Sequence, residues 1–237
     1  MLDIVIPVYN EGGNIKALLD QLESRVRADK RVLVVYDFEE DDTLPVLREI
    51  KDSYTFEVVP ERNHYGRGVL NALKSGFEAS TAPAVLVAMA DLSDDLGAVD
   101  RMKELLNAGA DVVCASRYMR GGRQIGGPAF KKLLSRVAGT TLRYLIGIPT
   151  HDISNNFRMY SRRVLESFEV ESTGGFELAM ELTVKAYAAG MTVAETPSVW
   201  RERVAGESNF KLWKWLPKYL HWYCYGVKNT WFGGRRK

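Results

Sequence analysis

The chain has 237 residues, 46% of them apolar, which fits one large α/β domain with a modest appendage and suffices to bury a core. Lys and Arg number 32 against 30 Asp and Glu, a formal net charge of +2 that argues against a dedicated nucleic-acid binder. Cys114 and Cys224 are far apart and form no CxxC pair, so neither a disulfide framework nor a zinc site is expected, and a reducing cytosol is the simplest compartment. The opening Met1-Leu-Asp-Ile-Val-Ile-Pro7 lacks a secretory leader pattern, and no run of ~18 uncharged apolar residues marks a membrane span.

Taken in order, the first half alternates short β-branched runs with helical spacing. Strands are predicted at residues 4–8, 31–36, 56–59, 84–89 and 111–115, and helices at 14–26, 44–52, 68–79 and 98–108. Leu18, Leu19, Leu22 and Val26 form one apolar stripe. Strands alternating with helices predict a mostly parallel, doubly wound sheet, with ligands beyond the carboxyl ends of its strands. Residues 117–128, rich in Gly and Arg, read as a loop, followed by a helix over 130–145, a loop at 149–156, a helix over 176–189 and an extended segment at 193–200. Cys114 lies in an apolar run and reads as core.

All five Trp fall at or after Trp200, and aromatics interleave with Lys from Phe210 to Phe232, ahead of Arg235-Arg-Lys237. This divides the chain into one α/β domain over 1–210 and an amphipathic aromatic and basic segment over 211–237. Such a segment suits a membrane-interfacial helix, broken or kinked at Pro217, or else a final helix packed on the domain by its Trp face.

The strand ends carry the polar chemistry. A nucleotide-diphosphate sugar needs a surface for its base, acceptors for ribose hydroxyls and base N–H groups, and a cation for its phosphates. Pro7, Tyr9 and Glu11 at the first strand end suit base and ribose, Asp37 at the second suits a base N–H, and Asp91 at the fourth suits a metal bridging two phosphates. Any one of these acids alone also reads as a turn former or helix cap.

Ile4-Val-Ile-Pro-Val-Tyr-Asn-Glu11 resembles the opening motif of family 2 glycosyltransferases, within them most closely the dolichyl-phosphate mannose synthase and polyprenyl-phosphate glycosyltransferase group. The resemblance runs to about residue 212 through Arg62-Asn-His-Tyr-Gly-Arg-Gly68, Ala90-Asp-Leu-Ser93, Ser116-Arg-Tyr118, Asn156-Phe-Arg-Met-Tyr160 and Arg203-Val-Ala-Gly-Glu-Ser208. It implies a Rossmann-like nucleotide-sugar transferase fold. It implies nucleotide contacts from Pro7, Tyr9, Glu11, Asp37, Arg67, Ala90 and Asp91, and Mg²⁺ or Mn²⁺ at Asp91 with Asp94 or Asp95 assisting. Arg117, Lys131, Ser135 and Arg203 would face a lipid-phosphate acceptor, with Asp91, Arg117 and Arg203 central to catalysis. The sequence departs from the family pattern at three positions: Met89 replaces the first carboxylate of an Asp-x-Asp motif, Tyr36 the first of two Asp, and Asn209 a Lys.

The activity so implied is inverting transfer of a hexose from GDP-mannose or a UDP-sugar to a polyprenyl phosphate, by a protein peripheral to the cytoplasmic face of a membrane. No nucleic acid or obligate protein partner is expected. Transfer to a saccharide, with Asp152 as base or as a contact to the donor sugar, and a non-catalytic sugar-nucleotide binder motivated by Met89 and Tyr36, are the alternatives. His64, His151 and His221 read as surface or loop residues.

Overall fold

The computed structural model describes residues 1–202 and 212–232, with side chains from 215 onward in the last segment. Arg203 and the motif it opens lie outside the described residues, as do Asn209 and the terminal Arg235-Arg-Lys237. The chain runs β1 (Leu2–Pro7), α1 (Gly12–Arg25), β2 (Lys30–Tyr36), α2 (Thr43–Ile50), β3 (Glu57–Arg62), α3 (Val69–Ala79), β4 (Ala84–Val87), α4 (Val99–Asn107) and β5 (Val112–Ser116). Then follow β6 (Arg123–Ile125), α5 (Ala129–Ile146), β7 (Arg158–Ser161), α6 (Arg162–Ser167), α7 (Leu178–Ala188), β8 (Val193–Pro197), β9 (Val199–Arg201) and α8 (Leu212–Phe232).

Seven strands form one sheet in the order β3-β2-β1-β4-β7-β5-β8, parallel except for β7, which is antiparallel to both β4 and β5. The mostly parallel doubly wound sheet read from the sequence is therefore present, with one reversed strand inside it. Alternation along the strands sends side chains to opposite faces. Ile4, Ile6, Val32, Val34 and Leu86 pack with Leu18, Leu22, Leu47 and Met102 of α1, α2 and α4. Val5, Leu33, Val85 and Cys114 pack on the other face with Leu73, Leu142, Leu182 and Trp222 of α3, α5, α7 and α8. The sheet is covered on both sides, as a parallel sheet requires.

Two segments differ from the sequence reading. The loop over 117–128 contains β6, which pairs in parallel with β9. Pro217 does not break the last helix, which continues from Leu212 to Phe232. Tertiary packing outweighs the lost backbone bond: Trp215 and Trp222 are buried, Lys185 of α7 lies 4.9 Å over the Trp222 ring, and the Tyr223 and Trp231 side chains donate to Thr141 Oγ1 and Leu145 O of α5.

The seat of α5 is set by a glycine. A Cβ at Gly139 would stand 2.1 Å from the backbone oxygen of His151, so α5 rides directly on the 150–152 loop. Alanine raises helix propensity by about 1 kcal/mol over glycine. Overpacking against a backbone atom costs about 1–3 kcal/mol and wins. Gly139→Ala is expected to lower stability by about 1 kcal/mol in urea unfolding; a stabilised variant would show that α5 is not seated there.

Candidate functional site

The sheet order brings the carboxyl ends of β2, β1, β4 and β5 to one edge, and the reversal of β7 adds its entering loop, residues 150–157, to the same edge. At the end of β1, Asn10 has φ +54, and its N–H donates to Asp41 Oδ2 at 3.1 Å. Asp41 is fully buried and also accepts from Thr43 N at 2.9 Å. A non-glycine residue in the left-handed region next to a ligand crevice is held there by its surroundings. Asp41 is a positioning group that the sequence reading passed over, since nothing separates it from its acidic neighbours Glu39, Glu40 and Asp42.

The expected nucleotide residues fall into two clusters. Tyr9, 61% exposed, meets Phe38 edge-on at 5.5 Å, and the Arg67 guanidinium lies 4.9 Å over the other end of that contact, the Phe38 ring. Phe38 is thus the centre of an aromatic and cationic pad that the sequence reading missed. Asp37 accepts from Asn63 Nδ2 at 2.6 Å and Gly68 N at 2.8 Å, so it fixes the turn that carries Arg67. Glu11 Oε2 accepts from Asn14 Nδ2 at 2.7 Å, and Pro7 ends β1 opposite Val35.

The second cluster follows β4. Ala90 is buried, and half-buried Asp91 accepts from Ser93 N at 3.1 Å through Oδ1. Leu92 has φ +60, uncommon for a bulky side chain and thus a strained point in the acidic loop. Asp94 accepts from Met89 N at 3.2 Å. Burial pushes the Asp94 carboxyl up to about 7, the charge of Asp91 adds to this, and the Met89 N–H and Arg117 pull the other way. Asp95 instead accepts from Gly97 N and Val199 N, which ties the loop to β9. Among the described residues no three His, Cys, Asp or Glu side chains converge as a metal cage.

At the end of β5, Arg117 donates through Nε to Asp152 Oδ2 at 2.6 Å and through Nη2 to Oδ1 at 2.9 Å. Nη2 also reaches Ser154 Oγ at 3.0 Å and Ser135 Oγ at 3.2 Å, and the two serine hydroxyls bond each other. Arg117 and Ser135 are therefore brought together, while half-buried Lys131 stands one turn earlier on α5. Asp152 is wholly buried; burial opposes its charge, but Arg117 overcomes this and holds the carboxyl below the usual carboxylate range. Such a carboxylate is a weak proton acceptor, and its bidentate contact anchors Arg117. His151 lies in the loop as read, and Glu195 accepts from its backbone N–H at 2.8 Å and contacts its Nδ1 at 2.6 Å.

Beneath this pair lies Arg158, fully buried on β7 and part of the Asn156-to-Tyr160 motif. Its guanidinium donates to Asp152 O at 2.7 Å, to Ala179 O at 2.6 Å and to Thr183 Oγ1. Its depth was not legible in the sequence, because a strand arginine is ordinarily exposed.

With this geometry in place, comparison with known proteins is informative. The model of the family described as Glycosyl transferase family 2 matches residues 3–168. The chain is 31% identical over 212 residues to the polyprenol monophosphomannose synthase of Mycolicibacterium smegmatis, covering 86% of this chain and 79% of the relative. It is 26% identical over 215 residues to the dolichol-phosphate mannosyltransferase of Pyrococcus furiosus, covering 89% of this chain and 59% of that protein. Glucosyl-3-phosphoglycerate synthase from Mycobacterium tuberculosis, solved with Mn²⁺, UDP and glucosyl-3-phosphoglycerate, superposes with a TM-score of 0.65 at 17% identity, over 97% of this chain and 79% of that one. The same synthase with Mg²⁺ and UDP gives 0.64 at 18% identity, with the same coverage. The fold is the one that synthase has. The chain belongs to glycosyl transferase family 2 and is a glycosyltransferase.

The acidic loop yields a pH dependence. Asp94 has its folded pKa raised above 3.8, so its ionisation destabilises the fold; the cost is absent below the unfolded value and grows as pH rises toward about 7. Asp94→Asn is expected to gain on the order of 1–2 kcal/mol over the unsubstituted protein at pH 8, after allowance for solvent access, and almost nothing at pH 4. Paired denaturant titrations at the two pH values check this; an equal effect at both removes the assignment.

Proposed function

Taking family membership as the premise, we propose that this glycosyltransferase moves a hexose from a nucleotide-diphosphate sugar, GDP-mannose or a UDP-sugar, to a polyprenyl phosphate, with inversion. The observation that carries the reading is the Arg117–Asp152 pair beside the acidic loop: a guanidinium held in place where an anionic acceptor would sit. A phosphate acceptor suits this, because its second pKa of about 6 leaves it anionic near neutral pH and able to attack without a base. Its oxygen bonds to the anomeric carbon as the bond from that carbon to the diphosphate breaks, and the nucleoside diphosphate leaves with the electron pair. A saccharide hydroxyl would need a base; Arg117 holds Asp152 below the usual carboxylate range, which makes it a weak one, and Asp94, pushed up to about 7, is the carboxylate that reading would call on. The names of the two mannosyl-transferring relatives point the same way.

In this reading Tyr9, Phe38 and Arg67 form the base pad. Pro7, Glu11 and Asp37 shape the ribose end, and Ala90 and Asp91 line the diphosphate. Arg117, Lys131, Ser135 and Arg203 hold the acceptor phosphate. The donor set fits Mg²⁺ or Mn²⁺: Asp91 and Asp94 are hard oxygen donors close enough for one charge to disfavour the other, and such ions are commonly held by one or two carboxylates plus substrate phosphates. When bound, the ion neutralises charge that grows on the departing diphosphate. Met89, which offers only a thioether side chain, has no part in that set.

Membrane-surface association, at the cytoplasmic face, is part of the same proposal. No helix among the described residues is long and apolar enough to cross a membrane. The inner face of α8 is packed on the domain, yet Leu220, Trp231 and Phe232 remain exposed. On α5, Phe130, Leu133, Val137, Tyr144 and Leu145 are exposed too, with Tyr144 at 84%. Apolar side chains on two adjoining helices bearing Lys132, Arg136 and Lys228 suit an interfacial contact.

Two experiments test the proposal. Transfer from a panel of GDP- and UDP-sugars should yield a lipid-linked product with polyprenyl phosphate and none with free saccharides, and Asp91→Ala should lower kcat by about 10²-fold or more while the melting curve stays unchanged. No lipid-linked product with any donor sinks the acceptor assignment. Separately, replacing Phe130, Leu133 and Tyr144 together by Ser, all exposed positions, should weaken partitioning onto anionic liposomes about tenfold or more. An unchanged partition overturns the membrane-surface assignment.

A further inference from the structure

The 171–177 loop, which leads into α7, touches both halves of the candidate site. It is a stiff piece of chain. Buried Glu181 accepts from the N–H groups of Glu171 and Ser172, and buried Glu177 accepts through Oε1 from those of Thr173 and Gly174. Four backbone donors are thus tied to two carboxylates at the start of α7, and such bonds are among the stronger ones in a protein. On the donor side, Gly175, at φ +91, packs closely on the first turn of α3: a Cβ there would stand 2.7 Å from Val69 Cγ1 and 3.1 Å from Leu70 N. Val69 directly follows Gly68, whose N–H donates to Asp37, and Arg67, whose guanidinium lies over Phe38. On the acceptor side, Asn156 donates through Nδ2 to Gly175 O at 3.2 Å and accepts from Ala179 N at 3.3 Å. Asn156 stands two residues after Ser154, which bonds Arg117.

The C-terminal helix backs this junction. The buried Trp215 ring occupies the space that a side chain at residue 174 would need, since a Cβ at Gly174 would stand 1.6 Å from Trp215 Cζ3. The same ring meets Phe176 edge-on at 4.9 Å, and Tyr219, one turn further along α8, donates to Phe176 O. Packed side chains and hydrogen bonds therefore run from α8 through residues 174–176 to the Arg67 turn and to the 150–157 loop that anchors Arg117. We propose that Trp215 is a positioning residue for glycosyl transfer: by seating residues 174–176 it fixes the spacing between the Arg67 turn and the Arg117 loop, and with it the distance between the two substrates. The proposal rests on the donor and acceptor placement given above. It gives α8 a part in transfer apart from any membrane contact, because Trp215 is buried while Leu220, Trp231 and Phe232 are exposed.

Two measurements on the full chain test this, and the first needs no substrate. Trp215→Ala removes the ring and leaves a cavity, whereas Trp215→Phe keeps a ring over Gly174. Hydrogen exchange of the alanine variant is expected to speed up about tenfold or more at the amides of 66–72 and 154–157. The β1 and β2 amides should be unchanged, and the phenylalanine variant should stay close to the unsubstituted protein. Acceleration confined to 171–177 overturns the proposal, because the ring would then support that loop alone. The second measurement is kinetic. Misplacing two substrates relative to each other slows the reaction between them more than it weakens the binding of either. Trp215→Ala should therefore lower kcat about tenfold or more, with KM for the sugar nucleotide and the binding stoichiometry in titrations with UDP and GDP unchanged, and Trp215→Phe should recover most of the rate. An unchanged kcat overturns the proposal, as does a binding stoichiometry that falls in step with kcat, which marks a fold defect. If the alanine variant does not fold, Trp215→Leu takes its place and the same outcomes decide. If the unsubstituted protein transfers sugar to no acceptor, the proposed function falls, and the exchange measurement alone decides this one.

Discussion

The candidate site depends on one buried ion pair, that between Arg117 and Asp152. A bidentate pair with both partners largely out of water is not in itself a source of stability, because desolvation offsets most of the Coulomb attraction. What it confers is position. Arg117 arrives from the end of β5, Asp152 from the loop entering β7, and Ser135 from α5, so three elements far apart in sequence are held to one geometry. Arg158 underlies the arrangement. It holds the Asp152 backbone carbonyl, and its charge adds to that of Arg117 in lowering the Asp152 carboxyl against the opposing effect of burial.

The reversed strand β7 makes this possible. In a wholly parallel sheet the loop before a strand lies at the edge opposite the ligand crevice. Because β7 runs antiparallel between β4 and β5, its entering loop comes up at the crevice instead, beside Arg117 and facing the acidic loop after β4. The interaction between Arg117 and Asp94 crosses that gap and links the acceptor side to the diphosphate side. The ribbon of β6 and β9 adds a second link, since Arg201 N donates to Ser93 O and Val199 N to Asp95 Oδ2.

The C-terminal helix has two characters that composition alone does not separate. Aromatic residues interleaved with lysine suit both a packed helix and an interfacial one. Packing against α5 and α7 buries Trp215 and Trp222 and engages Lys185, while Leu220, Trp231 and Phe232 stay outside. The exposed apolar residues of α5 were less legible. Its sequence mixes Lys and Arg with Phe, Leu and Val on all sides, so periodicity did not reveal which of them the domain would leave uncovered.

The sequence by itself determined the alternation of strands and helices, the parallel character of the sheet, and the polar residues at the ends of β1, β2 and β4. These are local properties: β-branched runs, 3.6-residue stripes and turn chemistry act over a few neighbours. It also carried the family, because the order of short motifs survives without knowledge of contacts. The tertiary structure alone decided that β7 is reversed, that Arg158 is buried, that Asp152 is an anchor for Arg117, that Phe38 joins Tyr9 to Arg67, and that α8 passes unbroken through Pro217. Each depends on a partner dozens of residues away or on which face of an element is covered, and a charge or an aromatic ring takes its role from that partner rather than from its neighbours in the chain.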